Sequence, residues 1–224
     1  MAAAHAFVAD VEAPELATED RHHLERVLRL RPGEQLTVSD GAGRWRLCRF
    51  ATELELAGPV QVEPRPEPEI TVALALTKGE RLEWAVQKLT ELGVDRIVPL
   101  AAARSVVRWD GDRGVAHVDR LRRVARQAAM QSRRVRLPVV AGVHDFATAA
   151  SLPGAAMAER GGHPPTLATP VVLVGPEGGW DEAELAAPLP TVGLGPHVLR
   201  AETAAVAAAA LLTALRAGLV TPPS

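Results

Sequence analysis

The chain is short of several residue types, and each shortage removes a class of explanation. A single cysteine, Cys48, occurs among 224 residues. No intrachain disulfide can form and no zinc site can be built from cysteines, a pattern that fits a reducing compartment. Cys48 lies in the apolar-alternating run WRLCRF and reads as a small buried side chain. Aromatic residues make up only 3%, so any ligand recognition must depend on arginine, backbone and shape more than on stacking. Trp45 and Trp109 are the candidates for stacking, with core packing as the alternative for Trp45. No stretch approaches the roughly 20 apolar residues of a membrane span; the most apolar run is 204–212. The opening MAAAHAFVAD has neither a basic start nor a long apolar run, so it does not read as a secretory signal. The expectation is a soluble, cytoplasmic protein without a membrane partner.

Hydrophobic residues are plentiful at 47%, enough for a sizeable core. The formal net charge is only −2, but it is unevenly spread. Residues 104–136 hold ten arginines against three aspartates, a local excess of seven, which leaves −9 for the remainder. A concentrated basic stripe is the usual electrostatic footprint for a phosphate backbone. Arg122 and Arg126 share a helix face there, and Arg104 and Arg134 flank them. A second basic cluster, with Arg21, Arg26 and Arg29, lies near the N-terminus. The alternative is an ordinary solvated face. His22 and His23 point to different helix faces with no third ligand nearby, so no metal site is expected.

The segment PRPEPE at 64–69 is stiff and extended and marks a domain boundary. Residues 1–66 then form a small β-rich module, with an amphipathic helix over 18–30, a hairpin turning at 40–44, and short strands at 54–57 and 59–62. Residues 67–224 alternate strands with helices. Strands are expected at 70–76, 96–100, 138–141, 155–158, 171–174 and 192–194, and helices at 78–92, 117–132 and 202–216. Such alternation implies an α/β fold with a parallel sheet covered on both faces. Residues 159–170 read as a loose surface loop. The helical stretch 204–212 is apolar on every face and must be covered all round, by its own sheet together with a second subunit if one is present.

Two glycine turns stand at strand ends, where open α/β sheets bind ligands. The first is GPEGGW at 175–180 and the second GLGPHVLRAETAA at 193–205. Neither contains the P-loop G-K-S/T or the dinucleotide G-x-G-x-x-G. The carboxylate of Glu177 disfavours a phosphate and suits a neutral or cationic ligand. The plain alternative for the first turn is a tight strand-to-helix connection, with Asp181 and Glu184 forming a capping box.

Taken together, GPEGGW and GLGPHVLRAETAA, in that order and beside QKLTELG, resemble the RsmE-like family of the SPOUT methyltransferases. HHLERVLRLRPGEQLTVSDGAGRW resembles that family's PUA-like RNA-binding domain, and ERLEWAVQKLTELGVDRIVPL and ARSVVRW also match. The resemblance spans nearly the whole chain. It implies S-adenosylmethionine-dependent methylation of N3 of a uridine in 16S ribosomal RNA, with naked RNA or the small ribosomal subunit as partner. It implies a C-terminal trefoil knot, a small N-terminal β-barrel, a homodimer and no metal. It places the methyl donor against Val174, Gly175, Pro176, Glu177, Gly178 and Gly179 of the first turn. From the second it brings Leu194, Gly195, Leu199, Thr203 and Ala204. Arg200 and Glu202 become the candidate catalytic residues, with Arg104 as a further basic group near the site. The chain departs from the family at Gln127 and Met130, where members often carry acids, and at Arg133, where they carry glycine. Two other readings compete: a non-catalytic RNA-binding protein with the same architecture, and a nucleotide-dependent oxidoreductase, which the missing G-x-G-x-x-G opposes.

Overall fold

A computed structural model describes residues 2–221. The chain divides into two compact units, Met1–Pro66 with Arg126–Leu137, and Glu67–Ala125 with Pro138–Ser224.

The first unit is built on a five-stranded sheet. Strand β1 (Ala4–Phe7) runs parallel to β2 (Gln35–Ser39), and β2 pairs antiparallel with β3 (Arg44–Arg49). The short strands β4 (Glu55–Leu56) and β5 (Gln61–Val62) both pair with β3. Asp40 closes the hairpin turn, its Oδ1 accepting from the amides of Ala42 at 2.7 Å and Arg44 at 3.1 Å. Leu36, Val38 and Cys48 point inward with Ala6, Val11 and Leu24, all fully buried. The helix expected over 18–30 is shorter. Helix α1 (Thr18–His22) passes into a single π turn at His23–Val27 and stops. The wider turn breaks the i, i+3, i+4 register: Leu24 stays buried while Val27 and Leu28 are 63% and 51% exposed. Residues 126–137 join this unit although a division at the prolines separates them from it. Arg126 donates to both oxygens of Asp20 at 2.8 and 2.6 Å, Met130 packs on the core, and the Leu137 amide bonds Gly41 O at 2.9 Å.

The second unit carries a seven-stranded, wholly parallel sheet. Its strands are β6 (Thr71–Ala75), β7 (Arg96–Ala101), β8 (Val139–Val140), β9 (His144–Asp145), β10 (Ala155–His163), β11 (Val171–Val174) and β12 (Thr191–Val192). The order is β12-β10-β11-β6-β7-β8, with β9 also on β7. Every residue of β6 is buried, as expected of a strand covered on both faces. Alternation sends Val72 and Leu74 into one apolar layer and Ala73 and Ala75 into the other. The first layer is completed by α2 (Arg81–Leu92), the start of α3 (Gly111–Ser132) and α6 (Ala201–Arg216); the second by α4 (Phe146–Ala150) and Trp180. Helix α3 begins earlier than the expected 117, its first turns disguised by the weak helix formers Gly111 and Gly114.

One expectation changes here. Residues 159–163 are not loop but the continuation of β10. Beyond a register shift, His163 pairs with Val192, and the Gly193 amide donates to His163 O at 2.8 Å. The two backbones press together through facing glycines: a Cβ on Gly162 would lie 2.7 Å from the Val192 carbonyl carbon, and one on Gly193 2.6 Å from Gly162 O. Pro164 and Pro165 then end the strand. Helix α6 is covered in part within one chain. Ala205, Ala208, Ala209 and Leu212 are fully buried, but Leu211 is 37% exposed. Among the described residues, no helix is long and apolar enough to cross a membrane.

Candidate active site

The first glycine turn follows β11, at the centre of the sheet, and leads into α5 (Glu182–Leu185). Trp180 folds back beneath it. Its ring is buried, its Nε1–H donates to Ala158 O at 3.2 Å, and it meets Phe146 edge-on at 5.6 Å. Gly175 is required by that packing, since a Cβ there would stand 2.9 Å from Trp180 Cε2. The capping box expected at Asp181 and Glu184 is present. Buried Glu184 also accepts from the Ala103 amide at 2.8 Å, which ties the exit of the turn to the chain just after β7.

A cleft of about 270 Å³ opens beyond the carboxyl ends of the strands, and both glycine turns line it. From the first come Val174, Gly175, Pro176, Glu177 and Gly179, and from the second Leu194, Gly195 and Leu199, with Ala204 of α6 behind them. The walls are mostly aliphatic side chains and open backbone, a surface suited to a flat, weakly polar ligand held by main-chain groups. Gly178 and Thr203 do not line the cleft. Gly178 turns toward Arg104, whose Nη1 donates to its carbonyl at 3.3 Å. Thr203 is exposed on α6. Ala158, Glu159 and Arg160 form a third wall that the sequence hides, because the glycines and prolines that follow disguise the end of β10 as loop. His197, within the second turn, also lines the cleft with no local signal to mark it.

Arg200 and Glu202 stand just outside the cleft. Arg200 is the exposed residue before α6. Glu202 is almost enclosed, its side chain 12% exposed, and its Oε2 is buried with no hydrogen-bond partner. Arg81, at the start of α2, pairs with Glu177 and lies 3.9 Å from Glu202. The charge of Glu177 therefore does not face the cleft unopposed, and no local motif around Arg81 announces this.

The arginines of the basic stripe differ in their engagements. Arg126 is turned inward to Asp20, with its guanidinium 5.5 Å from the centre of the Phe7 ring. That pairing raises its pKa further, the hydrogen bond to Asp20 being the main cause. Arg122 is 53% exposed and bonds Asp119 at 2.8 Å. Arg134 meets buried His5 through its backbone. Arg21 donates to the carbonyls of Ala51 and Thr52 at 2.9 and 2.8 Å. Arg26 and Arg29 are exposed. Trp109 is stacked on His117, ring centres 4.6 Å apart. Among the described residues, no group of three or more His, Cys, Asp or Glu is placed to hold a metal ion.

The RNA methyltransferase domain family matches residues 64–213, the whole stretch that builds this cleft. The chain belongs to that family. The RNA methyltransferase PUA domain matches residues 16–53 of the first unit. A Mycobacterium tuberculosis protein named ribosomal RNA small subunit methyltransferase E is 37% identical, over 85% of this chain and 82% of its own. A Bacillus subtilis protein of the same name is 32% identical over 86% and 87%. A Neisseria gonorrhoeae ribosomal RNA small subunit methyltransferase E, solved bound to S-adenosyl methionine, superposes with a TM-score of 0.78. It is 27% identical, over 95% of this chain and 97% of that one. This member of the family thus keeps the architecture over nearly its full length.

Proposed function

We propose that the chain transfers a methyl group from S-adenosylmethionine to N3 of a uridine in 16S ribosomal RNA. The observation that carries this reading is the convergence of both glycine turns on one cleft at the carboxyl end of the sheet. Leu194, Leu199 and Val174 offer apolar contact for an adenine, and the backbone of Gly175 and Gly195 offers hydrogen bonds to its polar edges. When bound, the donor supplies a methyl carbon on a sulfonium whose leaving group is a neutral thioether.

The chain's own residues must align the acceptor and deal with the N3 proton, since protonated uracil N3 is a poor nucleophile. Glu202 is the proton acceptor in this reading: a nearly enclosed carboxylate with one oxygen lacking a partner. Arg200, at the mouth, stabilises the negative charge that develops on the uracil carbonyls. Arg104, linked to the first turn through Gly178, contacts the RNA backbone there. Residues 1–66 act as the PUA-like RNA-binding domain and 67–224 as the methyltransferase domain. A C-terminal trefoil knot and an N-terminal barrel belong to the same proposal, on the strength of the family resemblance. So does a homodimer, supported by the partly open apolar face of α6, in a cytoplasmic protein.

Calorimetry with S-adenosylmethionine tests the cleft, and modification mapping of ribosomal RNA from cells lacking the protein tests the substrate. Donor binding and the loss of one uridine N3 methyl group are expected. No binding at millimolar donor returns the chain to a non-catalytic RNA-binding role, and an unchanged methylation map refutes the substrate.

A further inference from the structure

Arg81 opens α2, far in sequence from both glycine turns, yet its guanidinium reaches a carboxylate from each. Its Nη1 donates to Glu177 Oε1, and its Nε lies 3.9 Å from Glu202 Oε1. The two carboxylates are unlike. Glu177 lines the cleft and is 47% exposed. Glu202 lies behind it, largely enclosed, with its other oxygen unpartnered. A guanidinium can address two carboxylates together because its donors fork in fixed directions, whereas an ammonium is a single point charge. An ion pair this exposed contributes little to folding. What it does supply is a fixed separation between two segments that, among the described residues, no backbone hydrogen bond joins.

We propose that Arg81 is a positioning residue for methyl transfer. It ties the donor-side turn, through Glu177, to the carboxylate at the start of α6, Glu202, and so sets donor and proton acceptor in one register. The inference rests on the methyltransferase reading above. It assigns Arg81 no contact with either substrate, only control of the groups that make those contacts.

The test compares wild type, Arg81→Ala and Arg81→Lys by donor calorimetry, by kcat and KM on small-subunit RNA, and by thermal melting. Arg81→Ala is expected to weaken donor binding severalfold and to lower kcat roughly tenfold or more, since misplacement by an ångström can cost a hundredfold. Its melting temperature should barely move. Arg81→Lys should recover donor binding, its ammonium pairing with the nearer Glu177, while kcat stays low because Glu202 is no longer held. Arg81→Ala within about twofold of wild type in both quantities overturns the proposal. So does equal recovery of both by lysine, or a loss that merely follows a fall in melting temperature. A wild-type chain that binds the donor but methylates no ribosomal RNA overturns the substrate reading instead. Arg81 is then judged by calorimetry, where unchanged affinity in Arg81→Ala counts against it.

Discussion

Lowering the pH should weaken the first unit, through His5. This histidine is 2% exposed on β1, with Nδ1 2.8 Å from Thr37 Oγ1 and Nε2 3.3 Å from Ser39 Oγ on β2. Burial, followed by the nearby charges of Arg133 and Arg126, pushes its pKa down to about 4 from the ordinary 6.5. The folded chain therefore keeps the ring neutral at pH values where the unfolded chain has already taken up a proton. Acid then favours unfolding: the contribution is complete above the unfolded value of about 6.5 and erodes down to about 4. The loss amounts to ~2 kcal/mol at about pH 5 and approaches ~3 kcal/mol below the folded value. Urea unfolding of wild type and His5→Phe, at about pH 7.5 and about pH 5, isolates the effect from other titrating groups. His5→Phe is less stable near neutrality, because Thr37 and Ser39 lose a partner, but it should lack this acid-dependent loss. Amide exchange in β1 and β2 reads the same unit locally. Equal acid sensitivity in the two proteins would refute the reasoning.

Other outcomes follow from the same contacts. Gly175→Ala forces a methyl group against Trp180 and should cost ~1–3 kcal/mol of stability together with about tenfold in donor affinity; unchanged calorimetry would show that the first turn tolerates displacement. Arg126→Ala strands the buried Asp20 carboxylate and should destabilise the chain by about 2 kcal/mol in urea melts. Arg122→Ala loses an exposed ion pair and a bond to Val140 O at 3.2 Å and should cost no more than about 1 kcal/mol, while flattening the salt dependence of RNA binding by about one phosphate contact or less; the reverse pattern would mean that Arg126, not Arg122, meets RNA. Arg200→Ala should lower turnover at least about tenfold while leaving donor affinity intact, and equal loss of both would place Arg200 on the donor instead.

Local composition made much of this legible. The buried apolar strand 70–76 and its partners announced a parallel sheet, because strands covered on both faces need side chains that are apolar throughout. The glycine turns announced a place where backbone approaches something closely. Even so, tertiary packing supplies a reason for Gly175 that needs no ligand, namely Trp180 folded beneath it. The π turn after α1 was illegible because apolar spacing at 24, 27 and 28 is the same whether or not the helix keeps its register. The full length of β10 is hidden in the sequence because Gly161, Gly162 and two prolines look like loop, although Gly162 is what lets Gly193 approach.

Charge was least legible of all. A count of arginines between 104 and 136 records how many cations are present, not which are already engaged, and Arg126 is committed to a carboxylate more than a hundred residues away. Arg81 shows the converse: nothing in its local sequence foretells its partners, yet it joins two acids from distant turns. Periodicity and turn chemistry are short-range properties, so the order of residues was enough to set the elements and the two bends. Which side chains share a charge, and which bends share a cleft, are long-range matters settled only when strands distant in the chain lie side by side.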